Sequence, residues 1–503
     1  MLVHWRASSS AVASNLPPDG MSLRARILAA SLIVTASLAA RRAAADCVSG
    51  QKVTTDCGLD LVTGPVLGSS RVVALGGAYQ GLAEGIDGYT QNAASPAVRE
   101  PWSYKWFNYD VDASISFPSA FRNIDFENRG TITKFTYQDF VFVTVGANVQ
   151  LGAWGFGFFA DLQNWNISPN AKPEDPSFST LITKSHALIA RQLFGGDLVA
   201  GIGARIIGFQ INRSGGGLDK ATVVSLSGLG AEAGILWKPS SQPFRLGVTV
   251  RSPVKTDDPG PGSATEVNGT VIPQRANLPW EIDTGIAVQG GPKPLNDPWL
   301  NPHDEESQLR TEIRYARAHR LAERSAILDA TPKEERAAKA RELDQADARA
   351  RKEEDDDLSA FTDEFVAVRK ARFDSLPREY LLFTLGLLVT GPTNNGISLE
   401  SFFSQQIARS GRLTTFSPRA GVEAEVWPRY LKLRLGTYIE PTRFGSEPDS
   451  RAFRQHLTSG FDLYLFRWTV LGIFDEGTAW RLTTAIDVSP RYQNYGLSVG
   501  VWH

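Results

Sequence analysis

The sequence has 503 residues and a formal net charge of −2, a balance that gives no reason to expect nucleic acid as a partner. Glycine occurs 45 times and aromatic residues make up 10% of the chain, whereas there are only two methionines and two cysteines. This composition fits antiparallel sheet better than a mainly helical protein.

The N-terminal residues have the pattern of an export signal. Two arginines precede an apolar run from Ile27 to Ala40, and three alanines before Asp46 offer a cleavage site. The apolar run is short for crossing a bilayer. We therefore predict a cleaved signal peptide over residues 1–45 rather than an uncleaved anchor, with Met21 as an alternative start.

Cys47 and Cys57 follow the signal directly. In an exported chain, two neighbouring cysteines are expected to form a disulfide. Lipid attachment at Cys47 is the alternative, and Asp46 immediately before that cysteine disfavours it. Residues 46–101 then contain the stretch Arg71–Ala97, which has few charges and many small residues and cannot pack a core of its own.

From about Tyr104 onward, apolar side chains recur at every second position, as at Phe244, Leu246, Val248 and Val250. This alternation predicts strands with one apolar and one polar or glycine-rich face. The candidate strands lie near 104–116, 133–145 (running on to about 151), 153–163, 181–194, 197–210, 221–237, 243–252, 279–289, 379–390, 415–427, 430–440, 457–470, 478–488 and 494–502.

Loop lengths indicate which kind of sheet these strands form. Short turns such as 151–153 and 427–429 alternate with long connections such as 117–130, 211–220 and 253–278. This alternation is typical of an outer-membrane barrel, whereas a Greek-key sandwich gives no reason for it. We predict an all-β fold, a transmembrane antiparallel barrel of about 14 strands, with strands 1–8 in residues 102–291 and strands 9–14 in residues 379–503.

Residues 292–378 interrupt the barrel. Residues 303–379 have helical composition and many opposite charges at helical spacing. Thr331-Pro332 predicts an N-cap followed by proline at a helix start. We expect a charged helical hairpin or coiled coil on the periplasmic side. It is either a solvated spacer or a docking arm for a periplasmic or peptidoglycan-associated partner, and a miscounted strand would place it outside.

A barrel of this size encloses a lumen too wide for its own wall side chains to fill. Small residues let a backbone thread a crowded lumen, and glycine supplies unusual backbone angles. Residues 46–101 are therefore predicted to be a plug or hatch, with a periplasmic linker as the alternative.

No pattern of catalytic or cofactor-binding residues is recognisable. The six histidines lack metal-ligand spacing, and there is no phosphate-binding glycine loop. Ser185 and His186 are adjacent, so on a strand they point to opposite faces. We expect no metal, no cofactor and no enzymatic activity, with a soluble or enzymatic β-protein as a remaining alternative.

The plug sequence resembles the N-terminal motif of the outer-membrane long-chain fatty acid transporter family (FadL/OMPP1/TodX-like) and of the related PorV/PorQ-type barrels. Gly76-Gly77-Ala78-Tyr79 matches, and Asn92 is followed by Ala-Ala-Ser before Pro96-Ala97, where the family has Asn-Pro-Ala. Arg251-Ser252-Pro253 is similar to a strand end in that family.

The resemblance implies a 14-stranded barrel in the outer membrane of a Gram-negative bacterium, surrounded by its lipid, with an N-terminal hatch that includes Gly76, Gly77, Ala78, Tyr79, Asn92 and Pro96. It implies uptake of hydrophobic small molecules such as long-chain fatty acids. The candidate binding residues are Leu382, Leu388 and Tyr438 on the lumen wall and the loop aromatics Trp165, Phe402 and Phe403. The alternative is a non-transporting PorV-like barrel that binds protein partners in secretion or envelope assembly.

Overall fold

A computed structural model describes residues 47–99, 103, 105–118, 124–130, 135–168, 177–215, 218–256, 265–267, 270–445, 453–467 and 479–501. Fourteen strands in these ranges pair into one closed antiparallel barrel, in which the last strand also pairs with the first. The strands are β1 Phe107–Ser116, β2 Thr136–Leu151, β3 Trp154–Ser168, β4 Ser177–Leu193, β5 Leu198–Gly215, β6 Leu218–Trp237, β7 Phe244–Arg251, β8 Glu281–Gly290, β9 Leu381–Thr390, β10 Thr415–Trp427, β11 Leu431–Pro441, β12 Phe453–Arg467, β13 Ala479–Ser489 and β14 Tyr492–Val501. The predicted signal peptide lies outside the described residues.

The apolar faces of the strands point away from the lumen. On β7, Leu246 and Val250 are 38% and 51% exposed, whereas Arg245 and Arg251 are each 3% exposed. An apolar exterior around a polar interior is the arrangement of a barrel that crosses a bilayer, because lipid contacts the outer face and the inner face is shielded from it. The predicted transmembrane barrel is confirmed.

The two ends of the barrel differ. Gly152-Ala153 joins β2 to β3, and residues 428–430 join β10 to β11, so we call this end the short-turn end. Long connections such as 252–280 and 391–414 lie at the opposite, long-loop end. The predicted loop 211–220 is wrong, because β5 and β6 continue through it and leave only two residues between them. Asn212 pairs there with Thr222, and their side chains share a hydrogen bond of 2.9 Å.

The N-terminal segment, which we call the plug (the described residues 47–99), runs through the lumen from the long-loop end to the short-turn end. A disulfide joins Cys47 to Cys57 near its start. Short strands and short helices lie within the plug and within the connections between the barrel strands. The strands are Gly58–Asp60, Val254–Lys255, Glu266–Val267, Thr270–Val271, Ala276–Leu278 and Gly396–Ile397; the helices are α1 Ser70–Ala74 and the 3₁₀ turns Ile86–Gly88, Ser95–Ala97 and Phe194–Gly196.

Glycines on the inner face of the barrel give the plug backbone its space. A Cβ atom added at Gly247 on β7 would lie 2.0 Å from the carbonyl oxygen of Gln80. One at Gly201 on β5 would lie 2.0 Å from the carbonyl oxygen of Ala93. Real Cβ atoms do not approach so closely, so the wall and the plug backbone can touch only because these positions lack a side chain. The glycines of the alternating strand pattern thus mark where the plug lies.

Helices α2 Pro302–Glu305, α3 Ser307–Ala330 and α4 Arg336–Ser375 form the insertion between β8 and β9, at the short-turn end, and α5 Leu399–Ser404 lies in a long loop. None of the helices in the described part of the chain has both the length and the apolar character needed to span a bilayer. The predicted helix start at Thr331 is wrong, because Thr331 is the C-cap of α3, where its backbone N–H donates to the Leu328 carbonyl at 3.3 Å, and α4 begins at Arg336 after the N-cap Glu335.

Ion pairs hold α3 and α4 together as a hairpin. Arg317 and Arg320 on α3 both reach Glu354 on α4, at 2.7 Å and 2.6 Å. Arg324 pairs with Asp344 nearer the tip, at 2.7 Å. The contact between the helices is therefore charged along its middle, and its strength depends on pH and salt.

Replacing Gly247 with alanine tests the close contact between wall and plug. The added methyl group must displace the Gln80 carbonyl, and overpacking of this kind costs roughly 1–3 kcal/mol. We expect faster hydrogen exchange in residues 76–92, with the barrel still migrating as a folded, heat-modifiable band on a gel. Gly290→Ala is the control, because a Cβ atom added there would come no closer than 4.0 Å to its nearest neighbour, the Leu381 carbonyl oxygen. Equal exchange in the two variants would contradict the packing.

Acid is expected to loosen the hairpin. Hydrogen bonds from Arg320 and Arg317 lower the pKa of Glu354 below its ordinary value of 4.5. A carboxyl group with a lowered pKa stabilises the folded form above its unfolded pKa, and this contribution is lost as the pH falls through the folded pKa. Hydrogen exchange in α3 and α4 should therefore rise between about pH 5 and pH 3, relative to the barrel strands.

Glu354→Gln should weaken the same contact at neutral pH and flatten its pH dependence. Glu342→Gln is the matched control, since Glu342 pairs with Lys339 on its own helix. A pH dependence that is unchanged in Glu354→Gln would assign the effect to other carboxyl groups.

Candidate functional site

A buried ion-pair network around Arg71 fixes the plug to the barrel wall. The Arg71 guanidinium donates to both carboxylate oxygens of Glu423 on β10, at 3.0 Å each, and to the Tyr79 hydroxyl at 2.9 Å. Arg434 on β11 bonds to the same carboxylate and to Asp462 on β12. Because an unpaired charge in a dry interior is costly, each of these groups depends on the others.

The two acidic residues of the stretch Arg71–Ala97 are also paired with the wall. Glu84 accepts from Arg245 on β7 at 2.9 Å, and Asp87 accepts from Arg481 on β13 at 3.1 Å. The few charges of this stretch are thus all used to hold it. They attach the plug to strands on different sides of the barrel.

The residues of the resemblance motif lie in the lumen. Gly76 and Gly77 have φ angles of 62° and 73°, in the left-handed region that glycine adopts without strain. The amide nitrogen of Asn92 donates to the carbonyls of Gln80 and Ile235, at 3.2 Å each. Asn92 therefore joins two parts of the plug to β6, although the Asn-Pro-Ala order is altered.

The remaining motif residues pack closely in the same path. Ala78 is buried, and Tyr79 donates its hydroxyl to the Glu84 carbonyl at 3.3 Å. The Pro96 carbonyl accepts from the side chain of Gln150 on β2 at 2.9 Å. Motif residues thus contact the wall at several heights along the lumen.

An apolar cluster, which we call the aromatic chamber, lies at the long-loop end. Trp165 stacks on Phe140 with ring centroids 5.7 Å apart, and Phe403 lies 5.0 Å from Phe402 and 4.9 Å from Phe178. The aromatic members are Phe126, Phe135, Tyr137, Phe140, Phe142, Trp165, Phe178, Phe209, Phe402, Phe403 and Tyr492. A cavity of about 40 Å³ adjoins Trp165 and Phe126.

Charged groups close the side of this chamber. Arg129 pairs with Glu127 at 3.1 Å and with Glu400 at 3.3 Å. Burial, followed by the neighbouring Glu400 carboxylate, raises the pKa of Glu127 from 4.5 to about 7. Near neutral pH this carboxyl group therefore gains or loses a proton while it accepts from the backbone N–H of Leu399 at the start of α5.

A central cavity of about 140 Å³ lies between the chamber and the plug and is rich in charged side chains. Leu388 lies on its wall, beside residues 62–67 of the plug. Its cationic residues are Lys184, Arg205, Arg251, Arg419 and Arg443, and its acidic residues are Asp161, Glu281 and Asp283. Basic groups are in the majority among these residues, but Arg205, Arg251 and Arg443 are already paired with carboxylates, so an anionic group would have to exchange with those partners.

A third cavity, of about 60 Å³, lies on the opposite side of the plug, towards the short-turn end. We call it the lower cavity. Plug residues Leu82 and Glu84 form part of its wall, and Leu382 on β9 forms another part. Lys293 and Phe373 of the insertion complete it, so the inserted segment also borders the lumen.

The candidate binding residues do not form one pocket. Trp165, Phe402 and Phe403 come together in the aromatic chamber, although Trp165 lies within β3 rather than in a loop, because pairing of β3 with β4 continues past it. Leu382 and Tyr438 pack against the plug in a different cluster. The Tyr438 hydroxyl donates to Asp487 at 2.7 Å and accepts from the Val66 backbone at 3.2 Å.

Apart from Arg251, which the resemblance had singled out, the buried basic residues of the central cavity and the Arg71 network were not identified from the sequence. For those that lie on barrel strands, such as Arg205, Arg419 and Arg434, the signal was a charge on the polar face of the strand. Alternation shows that such a charge faces inward, but not which charge on a distant strand it meets. The partner of Arg71 is 352 positions away in the sequence, at Glu423.

Histidines in the lumen lie within hydrogen-bonding distance of buried carboxylates. His186 lies 2.7 Å from Glu232, and His456 lies 2.8 Å from both Asp487 and Glu440. Within the described residues, no group of three or more histidine, cysteine or acidic side chains is arranged to hold a metal ion.

Neither a protein-family model nor a curated protein sequence matches the chain. Among solved structures, a FadL homologue from Pseudomonas aeruginosa is similar at 10% identity and a TM-score of 0.45, over 88% of this chain and 99% of that one. The toluene transporter TodX from P. putida has 10% identity and a TM-score of 0.43, over 88% and 98%. The monoaromatic hydrocarbon channel CymD has 8% identity and a TM-score of 0.44, over 88% and 97%. Each of these three structures is thus matched along most of the length of this chain.

Proposed function

We propose that the chain is a channel in the outer membrane of a Gram-negative bacterium that takes up hydrophobic small molecules such as long-chain fatty acids. The observation that carries this proposal is the order of sites along the lumen. An aromatic chamber at one end leads to a basic cavity, and the plug separates both from the opposite end. The long loops then face the exterior and the short turns face the periplasm.

The chemistry of the two upper sites suits an amphiphile. The chamber offers aromatic and aliphatic side chains to a hydrocarbon chain, and burial of such a chain contributes about 0.8 kcal/mol per methylene group. The central cavity offers Lys184, Arg205 and Arg419 to a carboxylate. A fatty acid could therefore place its two ends in neighbouring sites.

The present conformation is closed. The central cavity measures about 140 Å³, whereas sites for drug-sized ligands measure roughly 300–1,000 Å³. A fatty acid can pass only if the plug shifts. The Arg71 network is the part of the plug that must then exchange its partners.

Uptake by the full mature chain in liposomes tests the function. We expect saturable entry of a fluorescent long-chain fatty acid, and slower entry of its methyl ester, since the ester lacks the charge that the basic cavity binds. Because two of the similar structures are described as channels for toluene or monoaromatic hydrocarbons, toluene is measured beside them. Phe403→Ala should lower the apparent affinity for the fatty acid about three- to tenfold, as expected for loss of aromatic contacts.

Phe194→Ala is the control, because Phe194 is 80% exposed and lies at the short-turn end. Equal uptake of acid and ester would remove the basic cavity from the mechanism. A folded barrel that neither binds nor admits any of the three compounds would refute the channel.

Loss of the Glu423 charge is expected to release the plug. Glu423→Gln leaves Arg71 and Arg434 with reduced compensation, and breaking a buried pair costs about 3–5 kcal/mol. We expect frequent channel openings in planar bilayers at neutral pH. Glu342→Gln, on the surface of α4, is the matched control and should behave like the unmodified protein. A quiet Glu423→Gln barrel would mean that other contacts suffice to hold the plug.

The second candidate function is a barrel that binds protein partners in secretion or envelope assembly. The observation in its favour is the hairpin of α3 and α4, because passage of a lipid gives no reason for such a structure. On this hypothesis the liposomes show no uptake. Crosslinks to a periplasmic or peptidoglycan-associated protein then depend on residues 303–379.

A further inference from the structure

We propose that the base of the inserted helical hairpin is a second lock on the plug, acting from the short-turn end. The inference concerns the plug itself and does not depend on which compound the channel carries. It rests on contacts that connect the plug, the linker 291–301 before the helices, and the C-terminal end of α4.

Arg245 on β7 joins the plug to the linker through one guanidinium group. Its Nη1 donates to the Leu82 carbonyl and to Glu84, at 2.9 Å each. Its Nη2 donates to the Leu295 carbonyl at 2.6 Å, and its Nε donates to the side chain of Asn296 at 2.8 Å. A change in the linker therefore changes the hydrogen bonds available to the middle of the plug.

Arg99 makes a second connection, at the C-terminal end of the plug. Its guanidinium lies 4.2 Å from the ring centroid of Trp299 in the linker. The same group donates to the carbonyls of Gly152 and Trp106. Trp106 in turn stacks on His303 of α2, with centroids 4.9 Å apart. Burial lowers the pKa of Arg99 to about 9, because it disfavours the charged guanidinium. The face of the Trp299 ring attracts this cation and so stabilises its charged form.

The hairpin is attached to this same linker. Arg372 of α4 pairs with Asp297 at 2.5 Å, and Arg369 donates to the Pro298 carbonyl at 3.1 Å. At the start of the hairpin, Glu306 accepts from Thr362 of α4 at 2.6 Å. The base of the hairpin and the linker are therefore connected at several points, and a tilt of the hairpin displaces the linker.

The hairpin base also forms part of the floor beneath the plug. Phe373 of α4, Lys293 and Leu295 of the linker and Tyr380 before β9 border the lower cavity. Lys293 lies 4.4 Å from the ring centroid of Tyr380, whose hydroxyl donates to Glu423. The floor thus reaches the carboxylate that holds Arg71. Helix α3 has 24 residues and is therefore about 36 Å long. A sideways displacement of the hairpin tip therefore rotates the hairpin about its base, next to the lower cavity.

Substitutions in the linker test the lock in the full chain. Trp299→Ala removes the ring over Arg99, and Arg372→Ala separates α4 from Asp297. We expect both to increase hydrogen exchange in residues 82–99 at least fivefold and to raise the frequency of channel openings, measured without any hydrophobic compound. Arg324→Ala is the matched control, because it breaks an ion pair near the hairpin tip, away from the linker.

The outcomes separate this inference from the proposed function. Exchange and openings at control levels in both Trp299→Ala and Arg372→Ala would overturn the second lock, whatever the uptake results are. Increased exchange confined to residues 82–99, with a heat-modifiable barrel, supports it even where no fatty acid is taken up. Retention of the heat-modifiable band excludes misfolding as the cause, and Arg372, which is half exposed, can be changed with little risk to the fold.

Discussion

The need to pair charges inside a closed barrel governs the rest of this structure. The outer face must be apolar because it meets lipid, so the polar side chains of every strand are directed into the lumen. Without a partner, charges such as those of Glu423 and Arg434 would carry a large desolvation cost. The plug supplies partners for part of this set, through Arg71, Glu84 and Asp87. The plug therefore both fills the lumen and neutralises charges of the wall. Without the plug the wall would have unpaired charges, and without the wall the plug would lose partners of its own charges.

The same constraint explains why the plug sequence is poor in large side chains. Its backbone lies directly against glycines of the wall, such as Gly201 and Gly247, so close packing comes from the absence of side chains on both surfaces. A few larger residues fill specific gaps. Tyr89 lies against Phe159 on β3 with centroids 6.5 Å apart, for example. The position of the plug in the lumen then depends on a small number of buried hydrogen bonds and ion pairs. Such polar groups can exchange partners, whereas an interlocked apolar core would have to be repacked.

Much of this architecture was predictable because it follows local periodicity. The alternation of Phe244 to Val250 and the contrast between short turns and long loops indicated the barrel, and the charge density of residues 303–379 indicated the helical insertion. Apart from the helix start at Thr331, which local contacts decide, the errors occurred where a residue distant in sequence decides. Pairing between β5 and β6 extends the strands through the predicted loop 211–220, and pairing of β3 with β4 places Trp165 in the wall. Leu382 and Tyr438 face the lumen as expected, but contacts with the plug separate them from the aromatic chamber.

The insertion lies at the end of the barrel where the plug leaves the lumen. The plug enters at the long-loop end, where short strands hold it in a small sheet, and leaves beside Gly152 at the short-turn end. Its middle is fixed by Arg71 and its lower part by Arg245 and Arg99. A release that begins at the long loops must first disturb the strand Gly58–Asp60, whereas one that begins at the hairpin base acts directly on the charged lower half. Since Arg245 bonds to both the plug and the linker, a change at the hairpin base can reach the plug through a single side chain.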